Sequence, residues 1–543
     1  MKITLCQLNY IVGDIEGNAQ KIIEHIEQAK SENSDLVVFS ELAICGYPPY
    51  DLLFNSSFVQ KSIDAIEAIA QHCQNITAIV GGIETNHGDG KNLFNAAFVL
   101  QNGKIAYTYH KALLPTYDVF DEARYFEPAY KPLFFNLKNK NIAITICEDL
   151  WTTETDTQPS PGKPKYQYNI LQTNKALNVD LMVNIAASPY SIFQHSYRYD
   201  VLTRAHHFLE CPIIYVNQVG AHTDLIFDGG SVIFNNLGDK HFLPFFEESH
   251  QTINLDTLTQ QGNCLNPIES LYYALKLGIR DYFAKNNFKK AVLGLSGGID
   301  SAVVAVLAAH ALGNENVHCL LMPSRFSSQH SVDDAIDLCK RNHISFDILS
   351  IEKPFIAFEE SLHFLFQHLP NDVTEENIQA RIRAIYLMAY SNKFGNILLN
   401  TSNKSEIAVG YGTLYGDMCG ALAIIGDVYK TQVYELAKFI NKKKELIPIN
   451  IINKAPSAEL RPNQKDSDSL PEYEHLDKLL YHIIEMQLTI PDLIKQGFSE
   501  NLAKKIYRLV QINEYKRYQG APVLRVSSKA FGYGRRIPLV KKF

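Results

Sequence analysis

Short β-branched runs alternate with amphipathic stretches through the first 260 residues. Apolar runs at 3–8, 35–39, 77–84, 95–100, 141–146, 181–185 and 212–216 predict strands, with helices near 18–31 and 57–73 between the early ones. This rhythm predicts α/β layering. The stretch 260–267 contains Gly262, Asn263, Asn266 and Pro267 and has the chemistry of a turn. It predicts a boundary between one domain over 1–262 and a second over 268–543. Past it, a helix from Glu269 leads to a strand over 290–295, and strands follow near 317–322, 346–349 and 396–399 with helical periodicity between them. That is a βαβ series, hence a parallel sheet. The segment 457–471, rich in Pro, Ser, Asp and Asn, predicts a loop long enough to be mobile or functional.

Composition narrows the classes. A chain of 543 residues is too long for one hydrophobic core, and 46% hydrophobic with 20% charged residues is ordinary globular usage. The net charge of −7 gives no footprint for nucleic acid or for an acidic membrane surface, so small-molecule substrates are favoured. Nine cysteines are scattered without a Cys-x-x-Cys pair, which predicts neither a disulfide framework nor a zinc site. Gln7, Asn9 and Asp14 interrupt any signal-peptide core, and the longest apolar run, around 302–309, is far shorter than a membrane span. A reducing cytoplasm fits these features.

Gly294, Leu295, Ser296, Gly297, Gly298, Ile299, Asp300 and Ser301 follow an apolar strand and open an apolar helix. At such a turn, glycines let consecutive backbone N–H groups approach an anion, and the helix dipole adds positive charge. Ser296 and Ser301 add hydroxyls, and Asp300 adds a hard carboxylate suited to Mg2+. The bland alternative is a tight strand-to-helix turn. There is no Walker A lysine, so simple γ-phosphate cleavage is not the first expectation. The loop resembles that of the ATP pyrophosphatase superfamily, whose members adenylate a substrate and release pyrophosphate.

A second chemistry lies in the first half. Glu41 follows the run 35–40, Cys147 follows 141–146, and Lys111 sits in HKALLP at 110–115. Strand ends project into the crevice where α/β sheets usually place their chemistry. A cysteine there attacks an amide if a base takes its proton and a cation steadies the oxyanion. Taken singly, Cys147 also suits a buried small hydrophobe, Glu41 a helix N-terminal carboxylate and Lys111 a solvated surface charge. The blocks SELAICGYPP at 40–49, HKALLPTYDVFDEARYF at 110–126 and ICEDLW at 146–151 resemble the signatures of the nitrilase (carbon–nitrogen hydrolase) family. That resemblance implies an αββα sandwich with Glu41 as base, Lys111 as oxyanion stabiliser and Cys147 as nucleophile. It also implies Tyr117 and Ser188 at a glutamine site. Gln194 stands where relatives commonly carry a basic residue, with Arg198 four residues on. Glu122 is either a second carboxylate of that site or a surface charge.

The two halves together resemble the family of glutamine-hydrolysing NAD synthetases. The blocks TSNKSE at 401–406, GYGTLYGD at 410–417, GDVYK at 426–430 and NEYKR at 513–517 carry the likeness through the second half. The fold implied there is a parallel-sheet, Rossmann-like adenine nucleotide hydrolase domain. The resemblance places ATP on the 294–301 loop with Thr401, Lys430 and Ser457, and deamido-NAD on Asn377, Glu406 and Lys516. Asp300 and Glu406 would hold Mg2+. The implied co-substrates are glutamine, ATP and deamido-NAD, with no prosthetic group, and the implied assembly is a homo-oligomer. An ammonia molecule protonated by bulk water loses its nucleophilic lone pair, so an enclosed passage between the sites is expected. Amidation or thiolation of another carboxylate, purine or tRNA base, a decayed nucleotide sensor and a stand-alone amidase are the rivals.

Overall fold

The computed structural model describes residues 1–151, 166, 168–367, 369–462, 464, 466–468 and 470–542, without the side chains of 194, 195 and 467. The contacts within the chain divide it into two units, Met1–Leu265 and Asn266–Phe543. Among the described residues no helix is long and apolar enough to cross a membrane.

The first unit holds two six-stranded sheets. One runs Ser249–Asn254, Lys2–Gln7, Leu36–Val38, Thr77–Thr85, Leu93–Gln101, Lys104–His110. The other runs Lys240–Phe242, Val232–Phe234, Ile213–Asn217, Leu181–Ala186, Lys140–Ile146, Leu133–Leu137. Each is parallel at its centre and antiparallel toward its edges. Strand alternation sorts the side chains by face. Ile3, Leu5, Leu36 and Val38 join the core shared with Ile142, Ile144, Leu181 and Val183, whereas Cys6, Val37, Ala78 and Val80 pack on the helices Ile15–Ser31 and Ser56–Gln71. Layering helix, sheet, sheet, helix is the αββα sandwich expected from the blocks. The helix Ile15–Ser31 starts where Asp14 accepts the Gly17 N–H at 3.0 Å, and it buries Ile15, Ile22, Ile26 and Ala29.

Among the described residues of this unit the sequence pattern misses seven strands, Lys104–His110, Leu133–Leu137 and Ser249–Asn254 among them. Ser249–Asn254 reads SHQTIN and has no apolar alternation; six register pairs with Lys2–Gln7 hold it extended. Tertiary pairing overrides propensity at such edges.

The second unit opens with the helix Pro267–Lys285, whose first turn Asn266 caps by accepting the Glu269 N–H at 2.9 Å. Its five-stranded sheet is parallel throughout, in the order Ser345–Ile348, Val317–Leu321, Ala291–Gly294, Ile397–Asn400, Leu422–Ala423. By chain order that is 3-2-1-4-5, so the strand order reverses between Ala291–Gly294 and Ile397–Asn400. Ligands of open parallel sheets bind outside the carboxyl ends of the strands at such a reversal. The helix Ile299–Leu312 leaves that point and is buried from Ser301 through Ala308.

Candidate active sites

In the first unit each of three strands ends on a functional side chain. Glu41 follows Leu36–Val38, Lys111 follows Lys104–His110 directly, and Cys147 follows Lys140–Ile146 directly. Gly81 lets the Glu41 backbone come close: a Cβ there would meet the Ser40 carbonyl oxygen at 2.3 Å. Cys147 has φ +43°, a left-handed conformation costly for a side-chain-bearing residue and held by its surroundings. Asp149 supplies much of that hold. Its carboxylate accepts from the N–H groups of Ile146 at 2.8 Å, Ala112 at 3.1 Å and Leu113 at 2.9 Å, and from Tyr109 Oη at 2.8 Å. The strand end carrying the cysteine is thereby tied to the turn carrying the lysine.

The charges converge in a buried pocket of the fold. Lys111 Nζ donates to Glu41 Oε1 at 2.6 Å and to Glu122 Oε1 at 2.8 Å. Glu41 also accepts from Asn95 Nδ2 at 2.7 Å and from the Ala187 N–H at 3.0 Å. Glu122 accepts from Tyr47 Oη at 2.9 Å. Exposure is 0% at Glu41, 1% at Lys111, 5% at Glu122 and 7% at Cys147, so desolvation is nearly complete and each charge depends on its partners. Burial pushes the Glu122 carboxyl up to about 7 against the pull of Lys111, with Glu41 adding to the rise. Burial and then Glu41 raise the Cys147 thiol, while Lys111 lowers it. Glu122 belongs to this site and is not a surface charge. A carboxylate and a cation held together beside a thiol can divide the work, the carboxylate taking the thiol proton and the cation steadying an oxyanion.

Tyr117 Oη donates to Glu148 at 2.9 Å, and Tyr166 Oη donates to the same carboxylate at 2.9 Å. The Ser188 N–H donates to Asn217 Oδ1 at 2.8 Å. Arg198 is committed elsewhere: it is buried, paired with Asp228 at 3.0 Å, and donates to the Ser188 carbonyl oxygen at 3.4 Å. Its guanidinium therefore braces the Ser188 turn. The side chain of Gln194 lies outside the described residues.

The second unit holds a cavity of about 300 Å3 at the strand-order reversal. Every residue from Gly294 to Ser301 except Gly297 lines it. Gly297 works from beneath, at φ +78°, where a Cβ would meet the Ser331 carbonyl oxygen at 2.1 Å. The Ser301 hydroxyl accepts the Ser296 N–H at 3.2 Å, and Ser296 Oγ accepts the Gly298 N–H at 3.2 Å, which folds the loop round the helix start. No side chain caps that helix at Gly298, and its first residues line the cavity.

Thr401, Lys430, Ser457 and Glu406 line the same cavity. Lys430 Nζ hydrogen-bonds Asp300 Oδ2 and stands 3.5 Å from Glu406 Oε1. Burial, with Asp300 and then Asp466 adding to it, pushes the Glu406 carboxyl up to about 8 although Lys430 pulls it down. Asp300 and Glu406, already sharing one cation, are hard oxygen donors that fit a divalent ion of the Mg2+ kind. Asn377 and Lys516 do not line the cavity. They gather instead on the 410–417 segment: Asn377 Oδ1 accepts from Thr413 Oγ1 at 2.6 Å, and Lys516 Nζ donates to the Gly410 and Gly412 carbonyls at 2.8 and 2.7 Å.

Two cations escaped the sequence pattern. Arg383 lines the cavity, and burial pushes its guanidinium down to about 10. Lys454 lines it too, bonded to Ser331 and 2.8 Å from Glu459. Arg383 had a signal: Ala380, Arg383, Ala384 and Leu387 share one helix face at i, i+3, i+4, i+7, where periodicity demands an apolar residue.

A thiol amidase centre on an αββα sandwich and a phosphate loop on a parallel sheet define a two-unit enzyme of the amide-transferring class. The carbon-nitrogen hydrolase family model matches residues 2–256, and the NAD synthase family model matches residues 271–520. The chain is 45% identical to the glutamine-dependent NAD(+) synthetase of Synechocystis sp., covering 100% of this chain and 99% of that one. It is 40% identical to the enzyme of that name from Acinetobacter baylyi, covering 99% and 98%. Among solved structures, the glutamine-dependent NAD+ synthetase of Acinetobacter baumannii in complex with adenosine diphosphate is 37% identical, covers 99% of this chain and 98% of its own, and superposes with a TM-score of 0.79. The chain belongs to the family of glutamine-dependent NAD(+) synthetases.

Proposed function

We propose that this chain forms NAD from deamido-NAD, ATP and glutamine, releasing AMP, pyrophosphate and glutamate. The observation that carries the assignment of residues is the closed Glu41, Lys111, Cys147 cluster in one unit together with the presence of a phosphate-loop cavity within the other.

The unit over 1–262 acts as the glutaminase. Glu41 takes the thiol proton, and the Cys147 sulfur attacks the side-chain amide carbon of glutamine. Lys111 steadies the oxyanion. Glu41 passes the proton to the departing ammonia, and water then hydrolyses the thioester to glutamate. Tyr117, Ser188 and Gln194 are assigned to the glutamine itself.

The unit over 268–543 acts as the synthetase. The loop 294–301, Thr401, Lys430 and Ser457 hold ATP, and Asn377, Glu406 and Lys516 serve deamido-NAD. The deamido-NAD carboxylate attacks the α-phosphorus, and pyrophosphate leaves against the loop N–H groups and the helix dipole. Ammonia then attacks the acyl carbon and AMP leaves. Asp300 and Glu406 would hold Mg2+, which, when bound, neutralises phosphate charge. The enzyme is further assigned to the cytoplasm, where its nine unpaired cysteines suit a reducing solvent, and to a homo-oligomer measurable by sedimentation.

Cys147→Ala tests the division of labour. NAD formation from glutamine falls roughly a thousandfold or more, while formation from ammonium salts persists. Loss of both activities in a folded variant overturns the assignment.

A further inference from the structure

Away from both sites, on the helix-facing side of the first sheet, three soft or borderline metal ligands meet. Cys6 and His250 are direct partners in the antiparallel register of Lys2–Gln7 with Ser249–Asn254. His25 reaches them from the helix Ile15–Ser31. Cys6 Sγ lies 3.6 Å from His250 Nδ1, and His25 Nδ1 lies 2.8 Å from the same nitrogen. All three ligand atoms fall within 4.8 Å of one another. We propose that Cys6, His25 and His250 form a binding site for a divalent ion of the Zn2+ class, bound through one thiolate and two imidazole Nδ1 atoms.

Ligand geometry supports the assignment. Tetrahedral Zn2+ bonds of about 2.3 Å to sulfur and 2.0 Å to nitrogen set a sulfur and a nitrogen about 3.5 Å apart. The Cys6–His250 separation of 3.6 Å is already that spacing. The two imidazole nitrogens, at 2.8 Å, stand closer than the roughly 3.3 Å of a bound pair, a gap that a small turn of the half-buried His25 closes. Behind His250, Glu32 Oε2 stands 3.4 Å from Nε2 and is itself held by Thr252 Oγ1. A carboxylate behind the far ring nitrogen fixes the tautomer of a metal-bound histidine once it accepts that N–H. Burial keeps both imidazoles toward their neutral form, the form that ligates. It also raises the Cys6 thiol, so binding must expel one proton as the sulfur–metal bond forms. The ion would pin the edge strand Ser249–Asn254 to the helix Ile15–Ser31.

The test uses the full-length chain carrying Cys147→Ala, so that the catalytic thiol cannot ligate, stripped with chelator and titrated with Co2+ and then Zn2+. We expect one thiolate-bound ion per chain, seen as a thiolate-to-cobalt charge-transfer band with tetrahedral d–d absorption, and its displacement by Zn2+. Adding Cys6→Ala removes the charge-transfer band, and adding His25→Gln, on the half-buried helix face, at least weakens binding tenfold. Zn2+ raises the melting temperature of the parent and not of the His25→Gln chain. No thiolate band in the parent, or a band that survives Cys6→Ala, overturns the proposal and leaves a plain imidazole–imidazole hydrogen bond. Should Cys6→Ala fail to fold, unchanged Co2+ affinity in the folded His25→Gln chain overturns it equally.

Discussion

The two catalytic centres handle charge in opposite ways. In the first unit Lys111 sits between Glu41 and Glu122 with almost no solvent, and burial, with Glu41 adding to it, drives Glu122 up to about 7 against the pull of Lys111. In the second unit Lys430 also lies between two carboxylates, Asp300 and Glu406, but these line a cavity of about 300 Å3 and share it with Arg383 and Lys454. A closed cluster suits a small neutral amide, because nothing bulky has to enter and every dipole is set beforehand. An open cavity suits polyanionic ligands, whose arrival supplies the charges that re-pair the lining cations. Preorganisation is thus complete in one site and ligand-dependent in the other.

The strongest way to break this contrast is to remove one carboxylate from each centre. Glu41→Gln abolishes the proton acceptor and lowers glutamine-dependent NAD formation by about 10^2–10^4-fold, leaving ammonium-dependent formation near the parent rate. Asp300→Asn takes a carboxylate from beside Lys430 and the phosphate loop. It lowers both activities by about a hundredfold or more, because both end at the synthetase centre. Steady-state rates with each nitrogen source, measured side by side, check the pair. A Glu41→Gln enzyme crippled on ammonium would remove the separation.

Backbone spacing offers a smaller, sharper probe. Gly297→Ala sets a Cβ at φ +78° against the Ser331 carbonyl oxygen, with no flexible side chain to yield. The expected cost is roughly 1–3 kcal/mol, read by denaturant unfolding, with a rise in KM for ATP. Gly81→Ala drives a Cβ into the Ser40 carbonyl and the Leu42 nitrogen, so the Glu41 backbone must shift. There the loss falls on glutaminase turnover instead, since the closed site has no ligand to reset its geometry. Equal effects of the two variants on ATP affinity would blur the distinction.

The frame of both units and the strand-ending residues were legible because apolar runs stop just before Glu41, Cys147 and Gly294. The roles of Tyr117, Ser188, Asn377 and Lys516 came from family resemblance alone, since no periodicity marks them. Glu122 stood undecided because it sits in TYDVFDEAR, a segment without helical or strand period, and only its pairing with Lys111 reveals burial. Asp149 went unnoticed beside Cys147 although it ties four groups together. The missed strands are held by partners far along the chain, Ser249–Asn254 on Lys2–Gln7 above all. Arg383 was within reach, as a cation on the apolar face of a helix is a conflict that calls for a ligand or a buried acceptor.

The smallest expected effect concerns Glu122 and pH. Its folded carboxyl titrates near 7 against an ordinary value of 4.5, so between these values the folded unit holds more proton than the unfolded chain. Stability from this group is therefore full below about 4.5 and declines as pH rises toward 7. Glu122→Gln keeps the side-chain shape and removes the titration. Its unfolding midpoint in urea then falls less than the parent's between pH 4.5 and pH 7, a window set by the Glu122 values. No comparable change is expected in ATP affinity. If the two chains lose stability in parallel across that window, Glu122 is ionised throughout and the closed site carries a full extra negative charge. The contrast with the open cavity would then rest on access alone and not on how each centre balances its charges.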